Sequence, residues 1–173
     1  SVASRGLGDV YKRQALNPWF LDIDELIDKG FIFISNKEEL GPTNQNKDYF
    51  DFSVADALTK KLGYLLLQGW SSQSEETKLN FYKWISRNSW VEDYALFVVI
   101  KEEFNMLPWW EWPQEFKIKN NKFLKSWIKK KSDEILIKKL IQWHLDEQWS
   151  AIKNFAKSRD IKLIGDLPFY VSR

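Results

Sequence analysis

The spacing of apolar side chains predicts helices over most of the chain. Between about residues 133 and 157, apolar residues recur at intervals of three to five, which is typical of one long amphipathic helix. These residues are Leu136, Leu140, Leu145, Trp149, Ile152 and Ala156. A second helical stripe starts near Asp51 or Ser53, and residues 90–104 are apolar on more than one face. The pattern therefore predicts a core helix over residues 90–104, packed on several sides.

Capping residues predict where several of these helices begin. A side-chain oxygen three positions before a carboxylate can accept a hydrogen bond from a first-turn amide, as in Asp22 with Glu25. The same spacing recurs in Ser35 with Glu38, Ser72 with Glu75, and Ser89 with Glu92. The helix after Asp22 is expected to end at Gly30, because glycine readily adopts the left-handed conformation that stops a helix. Residues 41–46 and the aromatic segment after Pro108 are predicted loops, and residues 115–131 are basic and weakly patterned.

The end of the chain predicts a strand with a carboxylate at its carboxyl end. Residues 161–171 read Ile-Lys-Leu-Ile-Gly-Asp-Leu-Pro-Phe-Tyr-Val, and a continuous apolar run after a long helix is typical of a parallel strand buried on both faces. Ligands bind outside the carboxyl ends of such strands, which makes Asp166 a candidate site residue. Asp166 and Pro168 could instead only end the strand and begin a turn.

Composition excludes several classes of function. Of the 173 residues 44% are hydrophobic and 16% aromatic, which is enough for a sizeable core. The 26 basic and 24 acidic residues are interspersed, so neither nucleic acid nor a membrane is expected as a partner. The one compact basic run, residues 129–131, is expected to solvate a loop. The chain contains no cysteine, which excludes thiol catalysis and disulfides; with no visible signal peptide, this favours a cytoplasmic protein.

Ten tryptophans offer flat surfaces on which a sugar ring could stack, but most are expected to be core. Those on or near helices are predicted to pack: Trp84, Trp90, Trp143 and Trp149. For Trp109, Trp110 and Trp112 in the aromatic loop, packing and contact with a glycan or partner both stay open.

Other chemically suggestive residues are expected to be structural. His144 is the single histidine of the chain, so it cannot form a multi-histidine metal site, and it is predicted to be an ordinary helix-face residue. The adjacent carboxylates Glu92-Asp93 and Glu102-Glu103 point about 100° apart on a helix and are expected to be caps and solvated faces.

Several segments resemble the 4-alpha-glucanotransferases, also called amylomaltases or disproportionating enzymes, of glycoside hydrolase family 77. Residues 148–156, Gln-Trp-Ser-Ala-Ile-Lys-Asn-Phe-Ala, together with residues 161–171, closely match the motif QW…L…A…GI.IIGDLPIYV. Three more segments agree in the same order. They are Asn17-Pro18 with Asp24-Glu25-Leu26 (GNPLLIDLDELVEEG), Trp90 to Phe97 with Lys101-Glu102 (WLEDYALF.ALKE), and Trp112-Pro113 (W..WP). Residues 34–89 match only loosely.

The resemblance implies an α/β fold, the (β/α)8 TIM barrel. This chain would be its helix-rich N-terminal part with helical insertions, truncated at both ends. The implied activity is transfer of α-1,4-glucan segments between maltooligosaccharides with retention of configuration, and no cofactor or metal is implied. The catalytic carboxylates of the family lie beyond residue 173, so the fragment itself is expected to be inactive. By the same resemblance, Asp166 lies at the end of an early barrel strand, Pro168 and Tyr170 belong to its rim, and Asn17 lies near the donor glucan.

Two expectations concern the extent of the chain. Residues 1–14 resemble a translated sequencing adapter and are expected to be a disordered scar, which leaves residues 15–173 as a partial catalytic barrel domain. The alternative is a stand-alone helical domain that binds a glycan or a protein through residues 109–112 without catalysis. A barrel fragment should leave Ile161, Leu163 and Ile164 uncovered, whereas a stand-alone domain should bury its apolar faces.

Overall fold

The computed structural model describes residues 15–33, 35, 40, 51–118 and 122–164, and all regular structure within them is helical. The helices are α1 (Ile23–Asp28), α2 (Phe52–Ser71), α3 (Glu75–Arg87), α4 (Trp90–Glu103), α5 (Gln114–Lys117), α6 (Lys122–Lys130) and α7 (Ser132–Ser158). Short 3-10 turns lie at Pro18–Phe20 and Trp109–Glu111. The predicted helices over residues 90–104 and 133–157 are confirmed.

The long helix α7 is the centre of the packing. Helices α2, α4 and α6 pack on it, and so does the 3-10 turn at Pro18–Phe20. One apolar cluster joins α7 to α2 and the N-terminal segment: Leu21, Leu26, Ile32, Leu62, Leu65, Leu66, Ile137, Ile141 and Leu145. A second joins it to α4, α6 and the aromatic loop: Ala95, Val99, Ile100, Trp112, Leu124, Trp127 and Ile135. One helix therefore contributes side chains to separate cores on different sides.

A third cluster is mainly aromatic and ties α3 to α2 and α7. Phe81 is fully buried, and its ring centroid lies 4.9 Å from that of Trp70 and 5.3 Å from that of Trp143. The rings meet edge to face, the arrangement that aromatic quadrupoles prefer. Leu140 completes the cluster. The prediction that Trp143 packs in the core is confirmed.

Helix starts follow the capping residues in part. The side chain of Asp22 accepts a hydrogen bond from the Glu25 amide at 3.1 Å, as predicted. Helix α2 begins near Asp51, one of its two predicted starts, and the Asp51 side chain caps it. The pairing of Ser72 with Glu75 was wrong: Ser74 caps α3 through the Thr77 amide, and Ser72 ends α2. Helix α4 does follow Ser89, but without a side-chain hydrogen bond from it.

Two glycines are required by the backbone around Phe31. Gly30 has a φ of 73° after the end of α1, which confirms the predicted stop. Gly69 on α2 lies directly against the Phe31 backbone, where a Cβ atom would be 2.0 Å from the Phe31 carbonyl oxygen. The short segment after α1 therefore packs on α2 at a distance that only glycine permits.

The predicted closing strand is absent from the part that the structure describes. Residues 161–164 belong to neither helix nor strand, and Ile161, Leu163 and Ile164 are exposed. The remainder of that predicted strand, residues 165–171, lies outside the described residues, as do Glu38, the loop at 41–46 and residues 1–14. A strand needs a hydrogen-bonded neighbour, and no described segment supplies one here.

Three further expectations need correction. The basic run 129–131 was expected to solvate a loop, but α6 extends to Lys130 and Lys131 pairs with Glu103 at 3.0 Å. Helix α6 buries Leu124 and Trp127, a short apolar stripe among lysines. Trp149 was predicted to pack but is 40% exposed. The carboxylates of α4 are not merely solvated: Glu102 pairs with Lys138 at 2.7 Å and Glu92 pairs with Lys139, joining α4 to α7.

Candidate functional site

The predicted site residues divide into one that the structure describes and three that it does not. Asp166, Pro168 and Tyr170 lie outside the described residues. Asn17 is described, and it lies on the segment that leads into α1. Among the described residues the candidate site is therefore represented by Asn17 and the segment around it.

Asn17 is exposed and caps the 3-10 turn that follows it. Its Oδ1 accepts a hydrogen bond from the Trp19 amide at 3.0 Å, and its carbonyl accepts one from the Phe20 amide at 3.2 Å. Pro18 fits the first position of the turn, because it has no amide hydrogen that would need a partner there. The Asn-Pro pair thus has a local structural role, which fixes where the carboxamide of Asn17 is presented.

Two buried glutamines on α7 hold the segment on either side of Asn17. Gln142 accepts from the Leu16 amide at 2.9 Å and donates to the Leu16 carbonyl at 2.8 Å. Gln148 makes the same pair of hydrogen bonds to Asp22, at 2.9 Å and 3.0 Å. Each carboxamide occupies the place that a neighbouring strand would take, and it satisfies both backbone groups of one residue. We call these four hydrogen bonds the glutamine clamp.

Sequence reasoning missed the clamp, although Gln148 begins the quoted QW motif. A signal was available: Gln142 lies between Ile141 and Trp143 in a helix predicted to be amphipathic, and a buried amide must find hydrogen-bond partners. What the sequence could not show is the partner, because each glutamine bonds a residue 126 positions away.

Tyr94 contacts the clamp from α4. Its hydroxyl oxygen lies 3.4 Å from Nε2 of Gln142, which donates to it. Burial, with a smaller effect from the charge of Glu102, raises the pKa of Tyr94 to about 12. Tyr94 is therefore neutral at physiological pH and serves as a hydrogen-bonding partner rather than as a base.

A cleft of about 210 Å³ lies between the 3-10 turn and the first turns of α2. Trp19 forms one wall: its Nε1 donates to Asp56 at 2.9 Å, and its ring centroid lies 5.3 Å from that of Phe52. Asp51 lies at the rim, where hydrogen bonds from the Ser53 side chain and from backbone amides of α2 lower its pKa. The cleft combines an apolar wall with the carboxylate of Asp51, a surface that a polyhydroxylated ligand can contact.

His144 is a core residue rather than the predicted helix-face residue. It is 3% exposed, and its ring centroid lies 4.3 Å from that of Phe31 and 4.7 Å from that of Trp143. Its Nε2 finds no hydrogen-bond partner among the described residues. Burial, followed by the charge of Lys29, lowers the pKa of His144 to about 3, so the imidazole is neutral. Nowhere in the described part of the chain do three histidine, aspartate or glutamate side chains converge as a metal site requires.

The three tryptophans of the aromatic loop differ in exposure. Trp112 is buried and its Nε1 donates to the Leu107 carbonyl at 3.0 Å, while Trp109 is half-buried against the same cluster. Trp110 is 48% exposed. Packing therefore explains Trp112 and much of Trp109, and Trp110 alone stays open to a ligand.

None of the described helices has the length and apolar character needed to cross a membrane.

The arrangement of helices is similar to that of a solved amylomaltase from Streptococcus agalactiae in complex with acarbose. The TM-score is 0.80 and the sequence identity 26%, over 91% of this chain and 32% of that one. The described helices therefore share the arrangement of about a third of that amylomaltase.

The sequence comparison gives the family. The profile of glycoside hydrolase family 77, the 4-alpha-glucanotransferases, matches residues 9–173, and the chain belongs to this family. Similar curated relatives include 4-alpha-glucanotransferases from Synechocystis (31% identity over 94% of this chain) and Clostridium butyricum (26% over 91%). The chain spans about a third of the length of these relatives, 32% in each case. The family resemblance seen in the motifs is confirmed.

Proposed function

We propose that the chain is the N-terminal part of a 4-alpha-glucanotransferase that transfers α-1,4-glucan segments between maltooligosaccharides. The observation that carries the proposal is the match to the family along nearly the whole chain, in both sequence and fold, over about a third of the relatives' length. The acarbose complex of the S. agalactiae protein supports a glucan-like ligand, because acarbose is the ligand named for that structure.

The proposed reaction is a double displacement. One carboxylate attacks the anomeric carbon while a second protonates the departing glycosidic oxygen, which leaves a covalent glucosyl-enzyme intermediate. The 4-hydroxyl of another glucan then attacks in place of water, and the second carboxylate takes up its proton. Retaining enzymes hold the two carboxyl groups about 5 Å apart. In this proposal both carboxylates lie in the remainder of the enzyme, and residues 1–173 alone are inactive.

The described carboxylates support that division of labour. Glu102 and Glu92 are held by lysines of α7, and Glu103 pairs with Lys131 at 3.0 Å. These ion pairs lie at the surface, and their carboxylates are about 70 or more residues beyond the Asn17 segment in the sequence. They act as structural links, and none forms an acid and nucleophile pair.

A barrel completed by further chain would also explain the exposed end of α7. Trp149, Ile152 and Phe155 are exposed on its last turns, and Ile164 just beyond is 97% exposed. We infer that the (β/α)8 barrel covers these side chains in the complete enzyme. Within it, Asp166, Pro168 and Tyr170 would form the rim of an early strand, and Asn17 would face the donor glucan.

Other parts of the assignment rest on the sequence. The cysteine-free composition supports a cytoplasmic location, although the relatives from Solanum tuberosum and Oryza sativa are described as chloroplastic or amyloplastic. The interpretation of residues 1–14 as an adapter-derived scar, and of residues 15–173 as a partial barrel domain, stays a prediction.

To test the proposal, two purified proteins are incubated with maltotriose. One is residues 1–173, and the other is a longer polypeptide that continues the chain to the length of its relatives. The longer protein should release glucose and form a ladder of longer maltooligosaccharides, measured by anion-exchange chromatography. Residues 1–173 should form neither. A ladder from the short chain would overturn the assignment of the catalytic groups, and no ladder from the long one would overturn the function.

A second candidate is a stand-alone helical domain that binds glycan through the aromatic loop, and the exposure of Trp110 favours it. It predicts that maltoheptaose changes the tryptophan fluorescence of residues 1–173 and that Trp110→Ala abolishes the change. Trp90→Phe is the control, because this half-buried indole lies outside the loop. The exposed apolar side chains at the end of α7 make this candidate less favoured, since a stand-alone domain would bury an apolar helix face.

A further inference from the structure

The glutamine clamp sets the path of the segment that carries Asn17. Gln142 bonds Leu16 and Gln148 bonds Asp22, so the segment runs beside α7 in the same direction. Six residues of helix rise about 9 Å, whereas six residues of extended chain span about 20 Å. The segment is therefore longer than the distance between its anchors, and the excess is taken up by the 3-10 turn at Pro18–Phe20.

The consequence of this mismatch is that the middle of the segment is pushed away from α7. Leu21 is buried and Leu16 is half-buried, whereas Asn17 and Phe20 are exposed, Phe20 by 79%. The clamp thus fixes the two ends while Asn17 and Phe20 point outward, and Pro18 and Trp19 between them line the cleft.

The clamp has the character of a rigid support. Both glutamines are buried, at 2% and 8% exposure, and each bonds one residue of the segment once as donor and once as acceptor. Gln142 donates in addition to the Tyr94 hydroxyl. Removing either carboxamide would leave one amide and one carbonyl of the segment without partners in a partly buried place, which is costly. A substitution there should release one end of the segment and leave the other end attached.

We infer that Gln142 and Gln148 are positioning residues for glucan binding: they hold the Leu16–Asp22 segment so that Asn17 faces the donor glucan. The inference rests on the proposed function and deepens it, because it names the groups that prepare the donor side. Neither glutamine touches the substrate. The clamp acts through the position of Asn17, so its loss should weaken binding more than it slows the chemical step.

The first test uses kinetics of the longer polypeptide with maltotriose. Gln148→Ala should raise KM about tenfold and change kcat by less than about twofold, because substrate binding and not the reacting groups is disturbed. Gln148→Glu keeps the acceptor for the Asp22 amide and loses the donor to its carbonyl, so it should give a smaller rise in KM. Asn80→Ala, an exposed carboxamide on α3, is the control and should leave both constants unchanged.

The second test is hydrogen exchange of the backbone amides in residues 1–173. Gln148→Ala should accelerate exchange at Asp22 and not at Leu16, and Gln142→Ala should do the reverse. If Gln148→Ala loses the cooperative thermal transition, Gln148→Glu replaces it in both tests.

Faster exchange together with a raised KM would support the inference. Unchanged exchange would overturn it, because the clamp would not hold the segment. Faster exchange with an unchanged KM in an active enzyme would also overturn it, since the clamp would then be structural only. A wild-type longer polypeptide without any transfer activity would instead overturn the proposed function, and the inference with it.

Discussion

The two ends of α7 share one helix and one amphipathic pattern, yet they meet different surroundings. From Ile135 to Gln148 most side chains are buried, and they contribute to three apolar clusters. After Gln148 only Ala156 is buried, while Trp149, Ile152 and Phe155 are exposed. We call these the enclosed end and the uncovered end. Periodicity thus predicts that a helix has an apolar face. Whether that face is buried depends on whether other segments of the chain pack on it.

The largest expected effect separates the two ends by stability. Leu140 is 1% exposed among Trp70, Phe81 and Trp143, so Leu140→Ala should lower the free energy of unfolding by about 3 kcal/mol. Ile152→Ala at the uncovered end should lower it by less than about 0.5 kcal/mol. Urea denaturation followed by circular dichroism measures both. Equal losses would show that the two ends are equally packed.

The next effect concerns the backbone that covers the enclosed end. In Gly69→Ala the new Cβ atom would meet the Phe31 carbonyl oxygen, and the Phe31 ring contacts Trp143 and His144. We expect a loss of about 2 to 3 kcal/mol, since the backbone after α1 must shift. Ser71→Ala, at an exposed position on the same helix, is the control. A Gly69→Ala variant as stable as the wild type would show that the segment after α1 moves freely.

A smaller effect is a pH dependence carried by His144 at the enclosed end. Above its ordinary pKa of 6.5 the imidazole is neutral in both the folded and the unfolded chain, so it contributes nothing. Between pH 6.5 and about pH 3 the imidazole is protonated in the unfolded chain but stays neutral in the folded chain. The free energy of unfolding therefore decreases as the pH is lowered through this window. The loss from pH 7 to pH 5 should be about 2 kcal/mol.

The control for this prediction is the same titration of His144→Gln. The variant should lose less stability between pH 7 and pH 5, because its side chain has no proton to gain. Burial raises the pKa of Glu147 nearby, but that carboxyl is present in both proteins and its contribution cancels in the comparison. Parallel curves for the two proteins would contradict the buried, neutral imidazole.

The smallest effect concerns the lysines that join α7 to α4. Lys138→Ala removes the pair with Glu102 and should cost less than about 1 kcal/mol, because Glu102 is half exposed. Lys153→Ala at the uncovered end, where the side chain is exposed, should cost nothing measurable. Thermal unfolding at about 0.01 M and 1 M salt should show the Lys138 effect only at low salt. An effect that persists at high salt would indicate lost packing instead.

Sequence reasoning succeeded where structure is decided locally. Asp22 caps α1 as predicted, since a cap is a contact between neighbours in the chain, and α2 begins near Asp51, one of its two predicted starts. Ser74 was missed because Thr77, not a carboxylate, lies three residues after it, whereas Ser72 has Glu75 at that spacing. Helix α6 was missed because its apolar stripe is short and set among lysines.

The candidate site was less predictable, for a physical reason. Motifs identified Asn17, but its anchors Gln142 and Gln148 act across most of the chain, and one sequence does not show such distant pairs. The burial of His144 and the exposure of Trp149 likewise depend on neighbours supplied from elsewhere. Family motifs led to the family because each motif is matched as a whole, without knowledge of which distant residues contact it.

The central claim is that the uncovered end of α7 is covered by the rest of a glucanotransferase barrel. The most direct measurement is hydroxyl-radical footprinting, read by mass spectrometry at Trp149, Ile152 and Phe155, in residues 1–173 and in the longer polypeptide. We predict that all three side chains react strongly in the short chain and are protected in the long one, while Leu140 is protected in both. Equal reactivity of Trp149, Ile152 and Phe155 in the two proteins would contradict the account.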